Sequence, residues 1–191
     1  MSARPPISRS QIDAALAARA PRLRPASGLR HAAVLLPLID RPTGVELLFI
    51  MRPQTMRSHA GQPAFPGGRV DDTDDNRWQT ATREAHEELG ITPSLVTPAG
   101  QLDDLPTISA YHVTPLVGWI PDGLDLRLEP AEVETVFTVP LALLADPTKQ
   151  RTMRSVWDDR PARLRFYLTD PHVVWGASAQ MLHNFLTVLA L

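Results

Sequence analysis

The sequence contains no cysteine. This absence excludes disulfide bonds, thiolate-bound zinc and a cysteine nucleophile, so any catalysis must use oxygen and nitrogen groups. The chain also lacks a run of about 18 apolar residues, and its arginine-rich start lacks the apolar segment of a secretory signal. We therefore expect a cytoplasmic protein. An organellar transit peptide is the alternative, and Asp13 and the nearby prolines oppose it.

The sequence has no strong excess of either charge. Its 19 Lys and Arg residues face 21 Asp and Glu residues, for a formal net charge of −2. No overall field therefore attracts nucleic acid or a membrane surface, and we expect a small-molecule partner. The oligomeric state stays open, with a homodimer among the possibilities. At 191 residues the chain is long enough for one domain with a sizeable core.

Hydrophobic patterning predicts an N-terminal helical extension over residues 1–28 and a main domain over residues 29–191. In the extension, a short helix is expected over residues 10–19, with Ser10 as its N-cap and Asp13 three positions later. The main domain begins with two apolar runs, 31–39 and 45–52, separated by the turn-rich "DRPTG". They predict a β-hairpin.

The remaining pattern alternates irregularly between strands and helices, which predicts a mixed α/β domain. Strands are expected at 95–102, 111–120, 151–157 and 163–168, and helices at 76–89, around 140–146 and at 178–190. Asp74 or Asp75 is the expected N-cap of the helix over 76–89. Residues 53–75 form a long Pro- and Gly-rich loop, and a loop of this length in a compact domain is usually functional or disordered.

The segment "REAHEELG", residues 83–90, breaks two rules of helix stability. Glu84, Glu87 and Glu88 are neighbours at three- and four-residue spacing, so their carboxylates repel each other. They also lie near Gly90, the expected C-cap, where the helix dipole disfavours negative charge. Clustered carboxylate oxygens are what Mg²⁺ or Mn²⁺ requires, and a metal ion would turn this repulsion into attraction.

A magnesium ion held by carboxylates normally relies on substrate phosphates to complete its coordination, so the natural substrate is a diphosphate. Upstream, "FPGG" offers Gly67 and Gly68, whose missing side chains permit a close approach of the backbone to a ligand. Arg83 is expected to orient the acids by pairing with Asp74, Asp75 or a glutamate.

Each feature also has an ordinary explanation. The acidic run can be a solvated helix face, and "FPGG" an ordinary turn. His86 lies between the carboxylates in helical phase, so packing or exposure explains it better than metal binding. Surface exposure also explains Arg52, Arg57 and Arg69, although their position around the glycine-rich loop favours contact with phosphate.

Taken together, "GGRVDDTDDNRWQTATREAHEELGI" resembles the Nudix box, G-x5-E-x7-R-E-U-x-E-E-x-G-U, where U is a bulky aliphatic residue. The second half matches, except that Ala85 takes the first bulky position. The first half departs from the pattern, because Asp75 replaces its Glu and Gly68 precedes Arg83 by one residue more than the box allows. The partner of Arg83 is therefore open between Asp74 and Asp75.

Just upstream, "RPQTMRSHAGQPAFPGG" looks like the signature of the coenzyme A pyrophosphatase branch, R-[SA]-x3-R-x3-G-x3-F-P-G-G. Seven residues fall in register: Arg52, Arg57, Gly61, Phe65, Pro66, Gly67 and Gly68. Pro53 replaces the usual small residue. The two motifs together span residues 48–91, about a quarter of the chain.

The resemblance implies a Nudix α/β/α sandwich with a mixed sheet. It also implies metal-dependent hydrolysis of coenzyme A to adenosine 3′,5′-bisphosphate and 4′-phosphopantetheine or its acyl form. By matching positions, Glu84 and Glu88 are the expected metal ligands, Glu87 a ligand or base, and the carbonyl of Gly67 or Gly68 a further ligand. Arg52, Arg57, Gly61, Phe65, Gly67, Gly68 and Arg69 are the expected substrate-binding residues, and Arg83 with the three glutamates forms the catalytic set.

Two points stay open at the level of sequence. Glu132 or Glu134, in "EPAEVETVF", can lie in a late loop that faces the metal, but an exposed loop acid is the default. The alternative functions are a Nudix hydrolase of another nucleoside diphosphate derivative, such as ADP-ribose or a dinucleotide, and a non-catalytic Nudix scaffold. Retention of Glu84, Glu87 and Glu88 argues against the scaffold.

Overall fold

The computed structural model describes residues 7–24, 28–56, 58–107, 109–157 and 160–191. A mixed β-sheet lies between helices on its two faces, which confirms the predicted α/β sandwich. Parts of the predicted extension, residues 1–6 and 25–27, lie outside the described residues, as does Arg57.

Eleven strands and four α-helices are present in the described part of the chain. The strands are β1 (Arg30–Arg41), β2 (Gly44–Met51), β3 (Pro63–Ala64), β4 (Gly67–Arg69), β5 (Thr97–Gln101), β6 (Leu105–Pro106), β7 (Tyr111–Trp119), β8 (Thr135–Pro140), β9 (Gln150–Trp157), β10 (Arg160–Leu168) and β11 (Val173–Trp175). The helices are α1 (Arg9–Ala17), α2 (Arg77–Leu89), α3 (Leu141–Leu144) and α4 (Gly176–Val188), with short 3₁₀ turns at Pro93–Leu95 and Pro147–Lys149.

Strand β1 is the centre of the main, eight-stranded sheet. It pairs antiparallel with β2, as the predicted hairpin requires, and parallel with β7 from Arg30↔Tyr111 to Leu38↔Trp119. The short strand β4 pairs with the first half of β1, and β8 pairs with β2. Because β1 has neighbours on both edges and helices on both faces, nearly all of its middle is buried, as an apolar run predicts.

The side chains of β1 alternate between two separate cores. Leu36 and Leu38 point to the side covered by α1 and α4. Leu35 and Ile39 point to the other side, which α2 covers with an apolar stripe that includes Ala81, Ala85 and Leu89. The predicted helical spacing of this stripe is therefore confirmed, and it fixes which edge of α2 remains available for function.

Helix α1 packs into the first of these cores. Ile12 and Leu16 are buried, and the indole nitrogen of Trp119 donates a 2.7 Å hydrogen bond to Asp13. The predicted N-cap Ser10 is wrong: Ser8 is the N-cap, because Gln11 three positions later returns its side chain to the backbone of Ser8 in a reciprocal capping box.

Other boundaries also differ from the prediction. The N-cap of α2 is Asn76, which accepts from the backbone of Gln79, and neither Asp74 nor Asp75 has this role. Helix α4 begins at Gly176 and ends at Val188, two residues before the expected limits at both ends. Strand β8 begins inside the segment expected to be a loop, because it finds a partner in β2. The long loop contains the short strands β3 and β4.

Strands β9, β10 and β11 form a second, antiparallel sheet. The predicted pair over 151–157 and 163–168 is confirmed, in a register that places Arg163 opposite Arg154. On one face of this sheet, Tyr167 and Val174 are buried in the core shared with α4. Among the described residues, no helix is long and apolar enough to span a membrane.

We predict that Leu16→Ala lowers the free energy of unfolding by about 2–5 kcal/mol, because a buried leucine in a well-packed site leaves a cavity. Leu16 is 4% exposed, whereas Leu23, a few residues later, is 72% exposed. Leu23→Ala is therefore the matched control, with an expected change within about 0.5 kcal/mol. Urea denaturation measures both. Equal, small effects would show that α1 does not contribute to the stability of the domain.

Candidate metal centre

The acidic segment lies in the last two turns of α2. The helix ends at Leu89, and Gly90 has the left-handed conformation (φ 71°) of a C-cap, as predicted. Because Ala85 and Leu89 are fixed in the core, Glu84 and Glu88 are held on the same edge of the helix, beside β4. Packing of the apolar stripe therefore determines where the carboxylates point.

Three carboxylates converge beside this helix end. Oxygens of Glu84, Glu88 and Glu132 all lie within 4.8 Å of one another. Glu88 is 1% exposed, Glu84 is half-buried and Glu132 is exposed. We call these three residues the carboxylate triad. They form a donor set made only of oxygens, which suits a hard divalent cation.

Glu132 reaches the triad from the loop that precedes β8. The backbone N–H of Glu129 donates to the carbonyl of Glu88, and the N–H groups of Glu132 and Val133 donate back to Glu129. Val133 is buried against the core on the α2 side. Glu132 is thus an exposed loop acid, as the default states, and it also faces the other two carboxylates, because the backbone of its loop is bonded to the end of α2.

Glu134, the other acid considered, does not join the triad. Its backbone N–H donates a 2.8 Å hydrogen bond to the carbonyl of Met51, at the start of the β8–β2 ladder. The buried Val133 lies between the two acids and directs both away from the core, so it does not separate them. Their backbone contacts do, because the loop before Val133 is bonded to Glu88 whereas Glu134 is bonded to Met51.

Arg83 binds several of the surrounding acids at once. Its Nε and Nη2 donate to the two carboxylate oxygens of Asp74 at 3.1 and 3.0 Å, and its Nη1 donates to Glu84 at 2.9 Å. Nη2 also donates to the carbonyl of Arg69 at 3.0 Å. Of the two aspartates that the sequence left open, Asp74 is therefore the partner of Arg83. The backbone of Asp75 instead donates to Gln79.

The pairing with Arg83 has an electrostatic consequence for Asp74. Hydrogen bonds from the guanidinium lower the pKa of Asp74 to about 2, against the effect of its burial. The carboxylate is therefore charged throughout the neutral range, and the bidentate pair fixes the plane of the guanidinium. With that plane fixed, the remaining Arg83 nitrogen is aimed at Glu84.

Glu87 is placed differently from its two neighbours. Its side chain is 56% exposed and pairs with Nη1 of Arg83 at 3.1 Å. It does not belong to the group of carboxylates whose oxygens converge within 4.8 Å. Of the three glutamates predicted as ligands, the structure thus brings together Glu84 and Glu88 and adds Glu132.

Burial dominates the electrostatics of the triad. Burial, helped by the charges of Glu84 and Glu132, raises the pKa of Glu88 to about 8, against a hydrogen bond from the backbone of Gly67. Burial also raises the pKa of Glu84, and the hydrogen bond from Arg83 opposes this shift. One oxygen of Glu88, Oε1, is buried without a hydrogen-bond partner among the described residues. A buried, unpartnered carboxylate oxygen facing two other carboxylates fits a metal ligand.

The two glycines of "FPGG" belong to β4 and not to a turn. Gly67 (φ 154°) donates its N–H to Oε2 of Glu88 at 3.0 Å. A Cβ on Gly67 would lie 2.5 Å from the carbonyl of Ala33, and a Cβ on Gly68 would lie 2.4 Å from the carboxylate of Glu84. Both positions therefore need glycine, one to pair with β1 and the other to admit the triad.

The predicted substrate-binding residues surround the loop that leads to β4. Gly61 (φ 63°) donates to the carbonyl of Arg52, whose own Nε is buried without a hydrogen-bond partner among the described residues. Phe65 is buried and stacks on Phe49 at 4.6 Å, so its role in the structure is packing. Arg69 is exposed. His86 lines a separate cavity of about 420 Å³ beyond the helix end, with Gly90, Asp125 and Arg127 among its neighbours.

A family model described as the NUDIX domain matches residues 29–159, more than half of the chain. This chain belongs to the Nudix family. It is 43% identical over 155 residues to the "Uncharacterized Nudix hydrolase NudL" of Photorhabdus laumondii, with 81% of this chain and 82% of that protein covered. The protein of the same name from Escherichia coli K12 is 39% identical, with 81% and 80% covered.

Solved structures share the fold at lower identity. A MutT/nudix family protein from Enterococcus faecalis aligns with a TM-score of 0.55 at 14% identity, over 96% of this chain and 70% of that one. The Nudix hydrolase RenU from M. smegmatis aligns with a TM-score of 0.52 at 23% identity, over 62% and 75%. These similarities confirm the Nudix sandwich and carry no information on the substrate.

We predict that the metal-free protein loses stability as the pH rises from about 4.5 to about 8. The pKa of Glu88 is higher in the folded state (about 8) than its usual 4.5, so the unfolded chain releases this proton first. The loss amounts to a few kcal/mol at most. Urea denaturation in chelator should show this slope in the parent protein and a flatter one in Glu88→Gln.

The exposed neighbour Glu87 supplies the control for this measurement. Glu87→Gln should leave the slope unchanged, and Mg²⁺ should restore stability to the parent protein at pH 8 to 9 because a cation favours the charged form. An unchanged slope in Glu88→Gln would mean that folding does not raise the pKa of Glu88, so that this carboxyl ionises in the folded protein as it does in the unfolded chain.

Proposed function

We propose that this protein hydrolyses the diphosphate of coenzyme A and its derivatives in a reaction that depends on Mg²⁺ or Mn²⁺. The products are adenosine 3′,5′-bisphosphate and 4′-phosphopantetheine or its acyl form. The observation that carries the metal dependence is the unpartnered buried oxygen of Glu88 within the carboxylate triad. The choice of coenzyme A rests on the upstream motif that begins at Arg52.

Glu84, Glu88 and Glu132 would hold the metal, together with a backbone carbonyl of the "FPGG" segment. Gly67, which lies opposite Val34 in the β1–β4 ladder, suits this last role. Its N–H donates to Glu88, and the carbonyl of a strand residue points to the same edge of the strand as its N–H. When bound, the metal polarises a phosphoryl oxygen and lowers the pKa of a bound water.

Arg83 acts on the reaction by orienting the carboxylates. Its bidentate pair with Asp74 fixes the guanidinium, and the guanidinium then fixes Glu84 and Glu87. Glu87 is accessible and lies one turn from Glu84, so we assign it the role of a ligand or base on the solvent side of the site. Release of Glu87 from Arg83 would be required for that role.

The substrate phosphates are assigned to the arginines around the glycine loop. Arg52 is the residue with the most specific support, because its Nε is buried and unpartnered among the described residues and its charge acts on Glu88. Arg57 is assigned from the motif alone, since it lies outside the described residues. Arg69 is exposed beside Arg83, and the backbone of Gly61, Gly67 and Gly68 would shape the loop around the phosphates.

A Nudix hydrolase of another nucleoside diphosphate derivative, such as ADP-ribose or a dinucleotide, is the alternative activity. A binding scaffold is disfavoured by the triad, because a site without a metal has no physical reason to keep three repelling acids, one of them buried. We also propose a cytoplasmic location and a homodimer, and neither nucleic acid nor a membrane is required for the assigned reaction.

We predict that Glu84→Gln, Glu88→Gln and Glu132→Gln each reduce kcat by orders of magnitude, because each removes a charge from the metal site with little change in volume. Glu134→Gln is the matched control, since Glu134 comes from the same loop but lies outside the triad. Steady-state hydrolysis with Mg²⁺ and with Mn²⁺ measures the effect, with thermal denaturation to confirm that each variant is folded.

The result that contradicts the metal assignment is near-normal turnover in Glu84→Gln or Glu88→Gln, or full activity in excess chelator. A normal Glu132→Gln variant beside two inactive ones would remove Glu132 from the ligand set and leave the other two.

For the substrate, we predict that kcat/KM decreases from coenzyme A or its thioesters to dephospho-coenzyme A and then to ADP-ribose. A site for coenzyme A contains a cation for the 3′-phosphate, and loss of such a contact costs about 1.5–3 kcal/mol, or roughly ten- to a hundred-fold. ADP-ribose lacks both this phosphate and the pantetheine arm. Mass spectrometry of the products from one panel of diphosphates, at one metal concentration and alkaline pH, gives the order.

The opposite order has a defined meaning. If ADP-ribose or a dinucleotide has the highest kcat/KM, the upstream motif has been misinterpreted and the alternative activity replaces the proposed one, with the same metal centre.

A further inference from the structure

A second cavity lies on the face of the main sheet opposite the carboxylate triad. It is open to solvent, has a volume of about 660 Å³ and is lined by α1, the segment after α1, the residues after β5, β10 and α4. These elements pack on one core, whereas α2 packs on the other. The polar side chains that line the cavity are Arg19, Arg22, Asp103, Arg165, Gln180, His183, Asn184 and Thr187. No glutamate of the metal centre contributes to it.

The cations of this cavity exceed its anions. Arg19 is neutralised by an ion pair with Asp103, the acid of the lining. Arg22 and Arg165 have no ion pair among the described residues. In addition, the Nε of Arg165 is buried and has no hydrogen-bond partner among the residues that the structure describes. A buried N–H of a guanidinium without an acceptor is costly, so this atom calls for a ligand.

The strand that carries Arg165 adds further positive charge on the same face. Arg163 lies two residues before Arg165 and directly opposite Arg154 of β9. Like charges at directly opposite positions of an antiparallel pair destabilise it. No ion pair of the described residues neutralises either arginine. The sheet therefore supplies a positive field beside the opening of the cavity.

Helix α4 supplies neutral hydrogen-bonding groups on the other wall. The side-chain nitrogen of Gln180 donates to the oxygen of Asn184 at 2.9 Å, which orients the amide of Asn184 and leaves its NH₂ group free to donate. Burial lowers the pKa of His183, and the charge of Arg165 lowers it further. His183 is therefore a neutral group that can donate or accept in the neutral pH range.

We propose that this cavity binds the phosphate group of a phosphorylated small molecule, held by Arg165 and Arg22 and by the amide of Asn184. Two uncompensated guanidinium groups match a phosphate dianion, and the planar fork of arginine matches its oxygens in a bidentate contact. The volume exceeds that of a phosphate, and Ala15 and Val188 offer apolar surface to the remainder of the molecule. The site is separate from the metal centre.

The binding test is a titration of the full-length protein with inorganic phosphate, followed by the backbone amide resonances of Gln180, His183 and Asn184. It is performed with Mg²⁺ and with chelator, because phosphate at the metal centre depends on the metal and phosphate in this cavity does not. We expect saturable shifts at these three positions under both conditions, and weaker shifts with acetate.

The variants separate the cavity from the general field of the sheet. Arg165→Gln should weaken phosphate binding by at least about tenfold, and Arg165→Lys should retain part of it because the charge remains but the bidentate fork is lost. Arg163→Gln is the matched control: it removes the same charge from the same strand face but does not line the cavity, so we expect a change within about twofold. Arg22→Gln, at an exposed position, should also weaken binding and is not expected to affect folding.

Three results would overturn the proposal. The first is the absence of saturable shifts at α4 in the parent protein. The second is equal weakening in Arg165→Gln and Arg163→Gln, or normal binding in Arg22→Gln and Arg165→Gln, since the field and not the cavity would then attract phosphate. The third is acetate binding as tightly as phosphate, which would contradict the assignment to a phosphate dianion.

Discussion

Carboxylates that converge within 4.8 Å repel each other, and one of the three in this protein is almost completely buried. The structure around the triad consists largely of groups that make this arrangement possible. Arg83 holds Glu84 through a guanidinium that Asp74 fixes, and the N–H of Gly67 binds Glu88. The backbone of Glu129 ties the third acid to the end of α2. Without a cation, these contacts offset only part of the cost of ionising the buried Glu88, as its raised pKa shows.

The regular elements near the site could be predicted from the sequence, because their patterns are local. The β1–β2 hairpin follows from two apolar runs around a turn, and α2 follows from its apolar stripe and Gly90. The conflict between Glu84, Glu88 and the helix end was also visible in a single segment. The predicted N-cap Ser10 was wrong although the signal was local, since Gln11 lies three positions after Ser8 and completes the capping box there.

The rest depends on contacts between distant segments, and sequence patterns do not encode these. Glu132 joins the triad because its loop is bonded to Glu88, more than forty positions earlier. Asp74 and Asp75 are chemically identical and adjacent, and only the turn before α2 decides which one faces Arg83. Family membership and fold are established by the NUDIX match. The net charge of −2 also gives no indication that acids cluster on the α2 side while Arg22 and Arg165, on the α4 side, have no ion pair within the described ranges.

The parallel pairing of β1 with β7 has a consequence for biosynthesis. These two strands form the middle of the main sheet, yet they are roughly 80 residues apart in the chain, and such non-local pairing slows folding because a long loop must close first. During translation, the apolar strand β1 can pair with β2 early, but its other edge stays open until the segment ending at Trp119 has left the ribosome. In that interval the nascent chain presents an unpaired, hydrophobic strand edge, the feature that recruits chaperones and promotes aggregation.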